Sequence, residues 1–381
     1  MTLNEPTWDD ARTIAHQLFA ALPTVSISLD CAAGRVLAKD LLALVDLPTF
    51  ETSAMDGYAV AGAGPWKIVA YSRAGQPLDI SLSTGEAVGI TTGAVIPQGT
   101  FGILRWEDAT VDGDTLAGET SEGKDIRPSG AECLMGDLLI SAGTVLSPAM
   151  VGLAAAVGHD EIEVRIKPKV ALIILGDEIL RSGLPHNGMV RDSLGVQLPA
   201  WFAKLGCEVH ATTFVEDTLD AHIDAIKSAR SADIIVTTGG TAVGERDYLH
   251  QAIDALGGEF HVDQIKVRPG HPQLLASIGG KPLLGLPGNP QSALAALMTL
   301  GVPVIESLLG IPEVQLPVIA SKENLTAPTG FTRMIVGNIV DGDFISSPYL
   351  GSAMMRGVAM GTGFAVVTNP ATNIRWVGLP S

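Results

Sequence analysis

The sequence predicts an α/β core of mainly parallel sheet joined to β-rich parts in a multidomain chain, and three observations predict it. The 381 residues exceed one ordinary core, since a domain holds roughly 100–200 residues. Beyond Pro168, solid apolar runs alternate with amphipathic segments, the pattern of strands buried on both faces and connected by helices. Short β-type runs split by Gly, Pro and Asp-Gly turns fill residues 46–140 and return after Pro312.

In chain order, Thr7 with Asp10 three residues later is a capping-box-like start. Trp8, Ala11, Ile14, Ala15, Leu18 and Leu22 then recur at helical spacing up to Pro23. Residues 1–45 and 141–167 read as an elongated, more helical domain, interrupted by an inserted β-rich domain over 46–140 with strands near 66–70 and 102–106. From 168 to 310, strands at 170–175, 208–214, 233–237 and 282–286 alternate with helices at 193–205, 219–229 and 247–256, and a long helix starts at Asn289. This is one α/β domain with right-handed crossovers. Residues 311–381, with β-type runs at 317–320, 333–339 and 364–367, form a C-terminal β domain.

Composition narrows the function. Asp plus Glu number 41 against 24 Lys plus Arg, a net charge of −17. That balance repels a phosphate backbone and argues against a nucleic-acid or anionic-membrane surface, so an anionic ligand must be held locally. A content of 46 % hydrophobic and 17 % charged residues excludes a disordered chain. Cys31, Cys133 and Cys207 are scattered and odd in number, which fits a reducing cytoplasm rather than a disulfide framework or CxxC zinc sites. The start MTLNEPTWDD is acidic where a secretory signal is basic. The longest apolar stretch, 292–309, contains Gly301, Pro303 and Glu306 and reads as a buried helix rather than a membrane span.

In an open α/β sheet, ligands bind outside the carboxyl ends of the strands. Three loops there stand out. TTGGTAVGERD, residues 237–247, offers glycines and hydroxyls able to close around a phosphate, or is a tight strand-to-helix turn. PGNPQSA, residues 287–293, starts a helix whose unpaired N–H groups favour an anion, or is an ordinary helix start. Asp177, Glu178 and Asp247 bring carboxylates to the same edge; Mg²⁺ would reconcile them with a phosphorylated ligand, and solvated loop acids are the alternative. In SAMDGYAV, residues 53–60, spacing alone favours Asp56-Gly57 as a β-hairpin turn. Arg268 and His271 of VRPGHP are the cations nearest the sheet edge, although His271 can equally be a partly buried structural residue.

Taken together in this order, PTFETSAMDGYAV, GITTGAVIP, DIRPSGAE, ILGDEIL, VTTGGTAVGERDY, RPGHP and GLPGNPQSA resemble the MoeA family of molybdenum insertases, which includes the E domain of gephyrin. The resemblance spans nearly the whole chain. It implies an elongated homodimer with a MogA-like α/β domain, whose site lies between that domain of one subunit and the inserted β-rich domain of the other. It implies insertion of molybdate into adenylylated molybdopterin with release of AMP, Mg²⁺ as cofactor, and a MogA-type adenylyltransferase as partner.

Carried over by position, Asp56, Thr92, Arg127, Glu178 and Asp247 fall on catalytic positions, with Glu178 and Asp247 as metal ligands. Asp192, Ser193, Thr238, Gly239, Gly240, Gly244, Pro287, Gly288, Asn289 and Ser292 fall on pterin, phosphate and anion positions. Arg268, His271, Ser292, Arg333 and Ser352 are candidate donors to molybdate. The chain departs from the family at several places. Leu175 replaces the Thr before Gly-Asp-Glu, and Lys-Pro-Gly-Lys becomes Arg268 to His271, which makes one pocket charge depend on pH. Gly130-Ala131-Glu132 lacks one acid, Val190-Arg191 precedes the retained Asp192-Ser193, and Ala359-Met360-Gly361 replaces Ala-Asn-Gly. These departures motivate an alternative, a paralogue that carries the cofactor or acts as a scaffold with little insertase activity. A nucleotide or pterin adenylyltransferase is disfavoured by the insertion and SAMDGYAV.

Overall fold

Seven strands form the central sheet of the computed structural model, which describes residues 3–241, 248–368 and 374–380. Its elements are β1 (Leu3–Asn4), α1 (Trp8–Gln17), β2 (Lys169–Leu175), α2 (Leu194–Lys204), β3 (Glu208–Val215), α3 (Leu219–Ser228), β4 (Ile234–Thr238), α4 (Tyr248–Ala255), β5 (Glu259–Asp263), β6 (Leu274–Ile278) and β7 (Lys281–Leu286). They are followed by α5, Pro290–Leu309. The spatial order is β1-β5-β6-β7-β4-β2-β3. β2 and β4 are apolar and buried almost throughout because helices cover both faces. β3, β2, β4 and β7 run parallel.

β6 is the exception, antiparallel to both β5 and β7. The sequence reading passed over β5 and β6. The turn from β6 to β7 is the two-residue Gly279-Gly280, both in the left-handed region, a hairpin signal flanked by apolar residues. β3 and β4 lie on opposite sides of β2, so the strand progression reverses there and a crevice opens at the carboxyl ends of β2 and β4.

One face packs against α1, α2 and α5, around Trp8, Leu198, Phe202 and Leu294; the other packs against α3 and α4, around Ile226, Leu249 and Ile253. The first core continues into Met334, Phe364, Val366 and Val377. These belong to a C-terminal sheet ordered Val267–Arg268, Thr332–Val340, Gly363–Val367, Ile374–Gly378 and Val318–Ile319. Its edge strand, Val267–Arg268, comes from the segment between β5 and β6, which ties the two sheets together.

Two helix expectations change. α1 ends at Gln17, short of Pro23, because tertiary partners take over the backbone: the Leu22 N–H donates to the Leu308 carbonyl, and the Ser307 hydroxyl donates to the Phe19 carbonyl. α5 is interrupted by a π-helical turn at Leu297–Gly301, after which Pro303 falls in the first turn of the restarted helix, where its missing N–H costs little. α5 is long and apolar enough to cross a membrane, but 89 % of that window is buried within the protein.

Residues 57–117 form a separate six-stranded sheet ordered Gly102–Arg105, Gly57–Val60, Glu86–Ile90, Trp66–Ser72, Thr115–Ala117 and Thr110–Asp112. The segments flanking it carry the more helical character expected of them, in α1 and Pro148–Ala156, together with short strands. They pair Thr24–Ser28 with Glu161–Arg165 and Leu41–Leu42 with Leu138–Ile140, leaving the helix Pro148–Ala156 as the helical part of 141–167. Alternating burial in Glu161–Arg165 supplies one apolar face for such a ribbon. α1 itself buries Trp8, Ala11 and Ala15 in the α/β core, where Trp8 Nε1 donates to Thr299 Oγ1 at 3.0 Å.

Candidate active site at the strand ends

The loops leaving β2, β4 and β7 meet in a cleft of about 640 Å³, lined in part by Glu178, Asp192, Ser193, Thr238, Gly239, Gly240 and Gly288. Glycine is required where these loops approach. Gly176 has φ +133°, and a Cβ there would crowd the Glu178 carboxylate. Gly239 has φ +85°, and a Cβ would lie 3.3 Å from the Leu175 carbonyl oxygen. Bare backbone therefore faces the cleft, a surface to which phosphate oxygens can come close.

A small parallel ribbon, Ile179–Leu180 with Val190–Arg191, positions the acids. The Val190 N–H donates to the Glu178 carbonyl at 2.9 Å, and the Asp192 N–H to Leu180. Asp192 Oδ1 accepts the Gly195 N–H at 2.8 Å. It caps the first turn of α2 while lining the cleft, so part of its hydrogen-bonding capacity is structural.

A second, smaller cleft of about 360 Å³ adjoins the first, sharing Pro272, Pro287 and Asn289 with it. Arg268, His271, Ser292, Arg333 and Ser352 all line it. Arg268 and Arg333 are register partners on parallel strands. Like charges placed side by side repel and are relieved by an anion between them. Arg268 lies 5.1 Å over the Phe331 ring, and Arg333 donates to the Thr326 carbonyl at 3.2 Å.

The helix-terminus reading of PGNPQSA needs correction. The first-turn N–H groups of Gln291 and Ser292 both donate to the Ser352 carbonyl, at 3.0 and 3.4 Å. The C-terminal region satisfies them, so an anion in this pocket must rely on side chains. Asn289 is the N-cap residue, yet its side chain makes no capping bond; it lines both clefts instead.

Asp56-Gly57 is not a hairpin turn. Thr52–Ser53 pairs with Ile126–Arg127, whereas Gly57–Val60 pairs with Glu86–Ile90 and Gly102–Arg105. Gly57 is required because a Cβ would collide with the Leu104 carbonyl on the neighbouring strand. Asp56 Oδ1 accepts the Thr92 N–H at 2.6 Å and the Thr92 hydroxyl at 2.9 Å. The backbone bond first, and the hydroxyl second, hold the exposed Asp56 carboxyl below the usual carboxylate range.

Asp56, Thr92 and Arg127 line neither cleft. Gly244 and Asp247 lie outside the described residues. Among the described residues, no group of three His, Cys, Asp or Glu side chains could hold a metal. Gly176, Thr241 and Pro272 of the candidate segments also line the larger cleft, and the sequence reading missed Asp217 there. Asp217 was findable, since it lies two residues past the end of β3 on the same sheet edge.

A crevice at a strand-order reversal, faced with glycine backbone and flanked by an arginine pocket, defines a doubly wound α/β protein of the class that binds ligands at the carboxyl ends of its strands. Residues 6–158 match the MoeA N-terminal region (domain I and II), and residues 171–307 match a probable molybdopterin binding domain. A molybdopterin molybdenumtransferase of Staphylococcus aureus is 31 % identical over 332 residues, covering 83 % of this chain and 79 % of that protein. Molybdopterin molybdenumtransferase 2 of Mycobacterium tuberculosis is 33 % identical over 350 residues, 85 % and 86 % of the two chains. The crystal structure of a molybdopterin biosynthesis MoeA protein from Pyrococcus horikoshii superposes with a TM-score of 0.80 at 26 % identity, covering 98 % of this chain and 97 % of that one. The chain belongs to the MoeA family, and it is a transferase enzyme.

Proposed function

We propose that this protein transfers molybdenum from molybdate into adenylylated molybdopterin in a Mg²⁺-dependent reaction that releases AMP. The observation that carries the reading is the pair of adjoining clefts with Pro272, Pro287 and Asn289 between them. Their volumes and linings differ as the two substrates do: a long phosphorylated pterin nucleotide against a compact dianion. Holding both across one ridge replaces a bimolecular encounter with a local one.

Gly240 brings a backbone donor to the phosphate end of the nucleotide, Gly239, whose own N–H donates to the Leu286 carbonyl at 2.8 Å, leaves room for close approach, and Thr238 adds a hydroxyl at the same strand end. Arg268 and Arg333 orient molybdate through charge-assisted hydrogen bonds. The two dithiolene thiols then bond to molybdenum while one molybdate oxygen leaves as water with their two protons, and a further water cleaves the pyrophosphate linkage to give AMP and the pterin phosphate. Glu178 would hold Mg²⁺, with Asp247 as the second ligand. A hard carboxylate oxygen at the rim of a phosphate-type loop fits an ion that usually takes one or two carboxylates and fills its shell with phosphate and water. When bound, it would supply neutralisation of the pyrophosphate charge.

Since Asp56, Thr92 and Arg127 sit apart from their own subunit's clefts, a homodimer in which the partner's inserted sheet faces the cleft accounts for their placement. The enzyme would work in the cytoplasm and take its nucleotide from a MogA-type adenylyltransferase. In the test, purified protein is mixed with adenylylated molybdopterin, Mg²⁺ and molybdate, and AMP is followed. Molybdate-dependent AMP supports the reading. Its absence discards the insertase in favour of a cofactor carrier or scaffold, the alternative that the named transferase relatives do not favour.

A further inference from the structure

His271 lines the arginine pocket, and its Nε2 lies 2.8 Å from Oε1 of Glu5, 266 positions away. The contact is built rather than incidental. β1 pairs Leu3–Asn4 with Val262–Asp263 at the sheet edge. The Glu5 N–H donates to the Asp263 carbonyl, and the Lys266 N–H donates to the Pro6 carbonyl. Between these clamps Glu5 has φ 50°, a left-handed conformation uncommon for a residue with a Cβ. The His271 side chain is 16 % exposed and that of Glu5 46 %. Glu5 does not line the pocket, so the carboxylate holds the ring without itself forming the pocket wall.

Resting on the reading of this pocket as the molybdate site, we propose that Glu5 is a positioning residue that couples oxyanion binding at His271 to uptake of a proton. A neutral imidazole carries one N–H. With that N–H committed to Glu5, the other nitrogen is a lone pair, which repels an oxyanion. Only the doubly protonated ring donates to Glu5 and to the oxyanion at once, so binding draws a proton from solvent onto the ring. Arg268 and Arg333 face the same pocket and oppose the added charge, Glu5 favours it, and Phe331, 5.8 Å from the ring, is uncharged. Asp263 and Lys266 are the charged residues on the backbone segments that clamp Glu5. The oxyanion supplies the last compensating charge, and this makes the uptake ligand-dependent.

The test is calorimetric titration of the full-length protein with molybdate in buffers of different ionisation enthalpy. The wild type is expected to take up protons as it binds molybdate, the uptake shrinking at acid pH where a free imidazole already carries the second proton. Glu5→Gln should lose that uptake, because the amide can donate to Nε2 and leave Nδ1–H for the oxyanion. Glu5→Asp should keep it in part. His271→Lys should abolish it, and in that background Glu5→Gln should change nothing further. A merely structural Glu5 would alter affinity without altering proton stoichiometry. Uptake retained in Glu5→Gln, or absent in the wild type although molybdate binds, overturns the inference and leaves the pocket reading intact. No molybdate binding by the wild type overturns both.

Discussion

The two adjoining clefts differ in how they are assembled. The glycine-faced cleft is made mainly of loops that follow β2, β3, β4 and β7, so most of its wall is continuous with strands whose positions the sheet sets, with Pro272 and Ala353 added from outside. The arginine pocket draws Arg268 and His271 from the segment between β5 and β6, Ser292 from α5, and Arg333 and Ser352 from the C-terminal region, with Glu5 of the N-terminal segment holding His271. A cleft can thus be inherited from a sheet topology, whereas its companion pocket is assembled by packing. Substitutions that strike one cleft and spare the other test that division.

The largest effect is expected from Glu178→Gln. Turnover should fall on the order of 100-fold with a raised Mg²⁺ requirement, while molybdate affinity and thermal stability stay unchanged. Molybdate-dependent AMP release at several Mg²⁺ concentrations measures this, and unaltered turnover would remove Glu178 from the metal. Arg333→Ala should do the reverse, raising the molybdate KM by roughly 10–100-fold, the worth of one charge-assisted hydrogen bond, with nucleotide affinity preserved. Equal losses for both ligands would mean that the pocket and the cleft are one site.

Smaller still is Gly239→Ala. It forces a Cβ onto a backbone at φ +85° and towards the Leu175 carbonyl, costing about 1 kcal/mol of stability with a several-fold loss of nucleotide affinity. Thermal unfolding and nucleotide titration read both. The smallest change is expected from Thr92→Val, which deletes the hydroxyl donor to Asp56 and keeps its backbone partner. The folded-state carboxyl is held below its ordinary value, so activity that needs the carboxylate is present above the ordinary carboxylate range and is lost as pH falls through the depressed value. The variant should move the acid limb of the rate profile upward by less than about one pH unit. An unmoved limb would show that Asp56 ionisation does not govern turnover.

Much of the larger cleft was legible because it follows from a rule about strands. Apolar runs ending at Leu175, near Thr238 and at Leu286 marked the buried strands, and the residues just after each run were the candidates. The same rule also reaches Asp217. The sheet itself was read less fully. β5 and β6 were missed because alternating and mixed patterns next to a Gly-Gly turn do not look like the buried parallel strands around them. The end of α1 misled because Leu18 and Leu22 keep helical spacing while tertiary partners claim the backbone beyond Gln17. Asp56-Gly57 misled because the glycine is there for close strand approach, a requirement that local spacing does not reveal.

By itself the sequence determined the alternation of strands and helices, the edge at which the larger cleft opens, and the kinds of group gathered there. These are set by burial period and turn chemistry, which act over neighbouring residues. Only the tertiary structure decided that two arginines stand side by side, that the Ser352 carbonyl takes the donors at the start of α5, and that Glu5 reaches His271. Those contacts join residues about 60 to 270 positions apart, and nothing in the local chain records which distant partner will satisfy a charge or a hydrogen bond once the cores have packed.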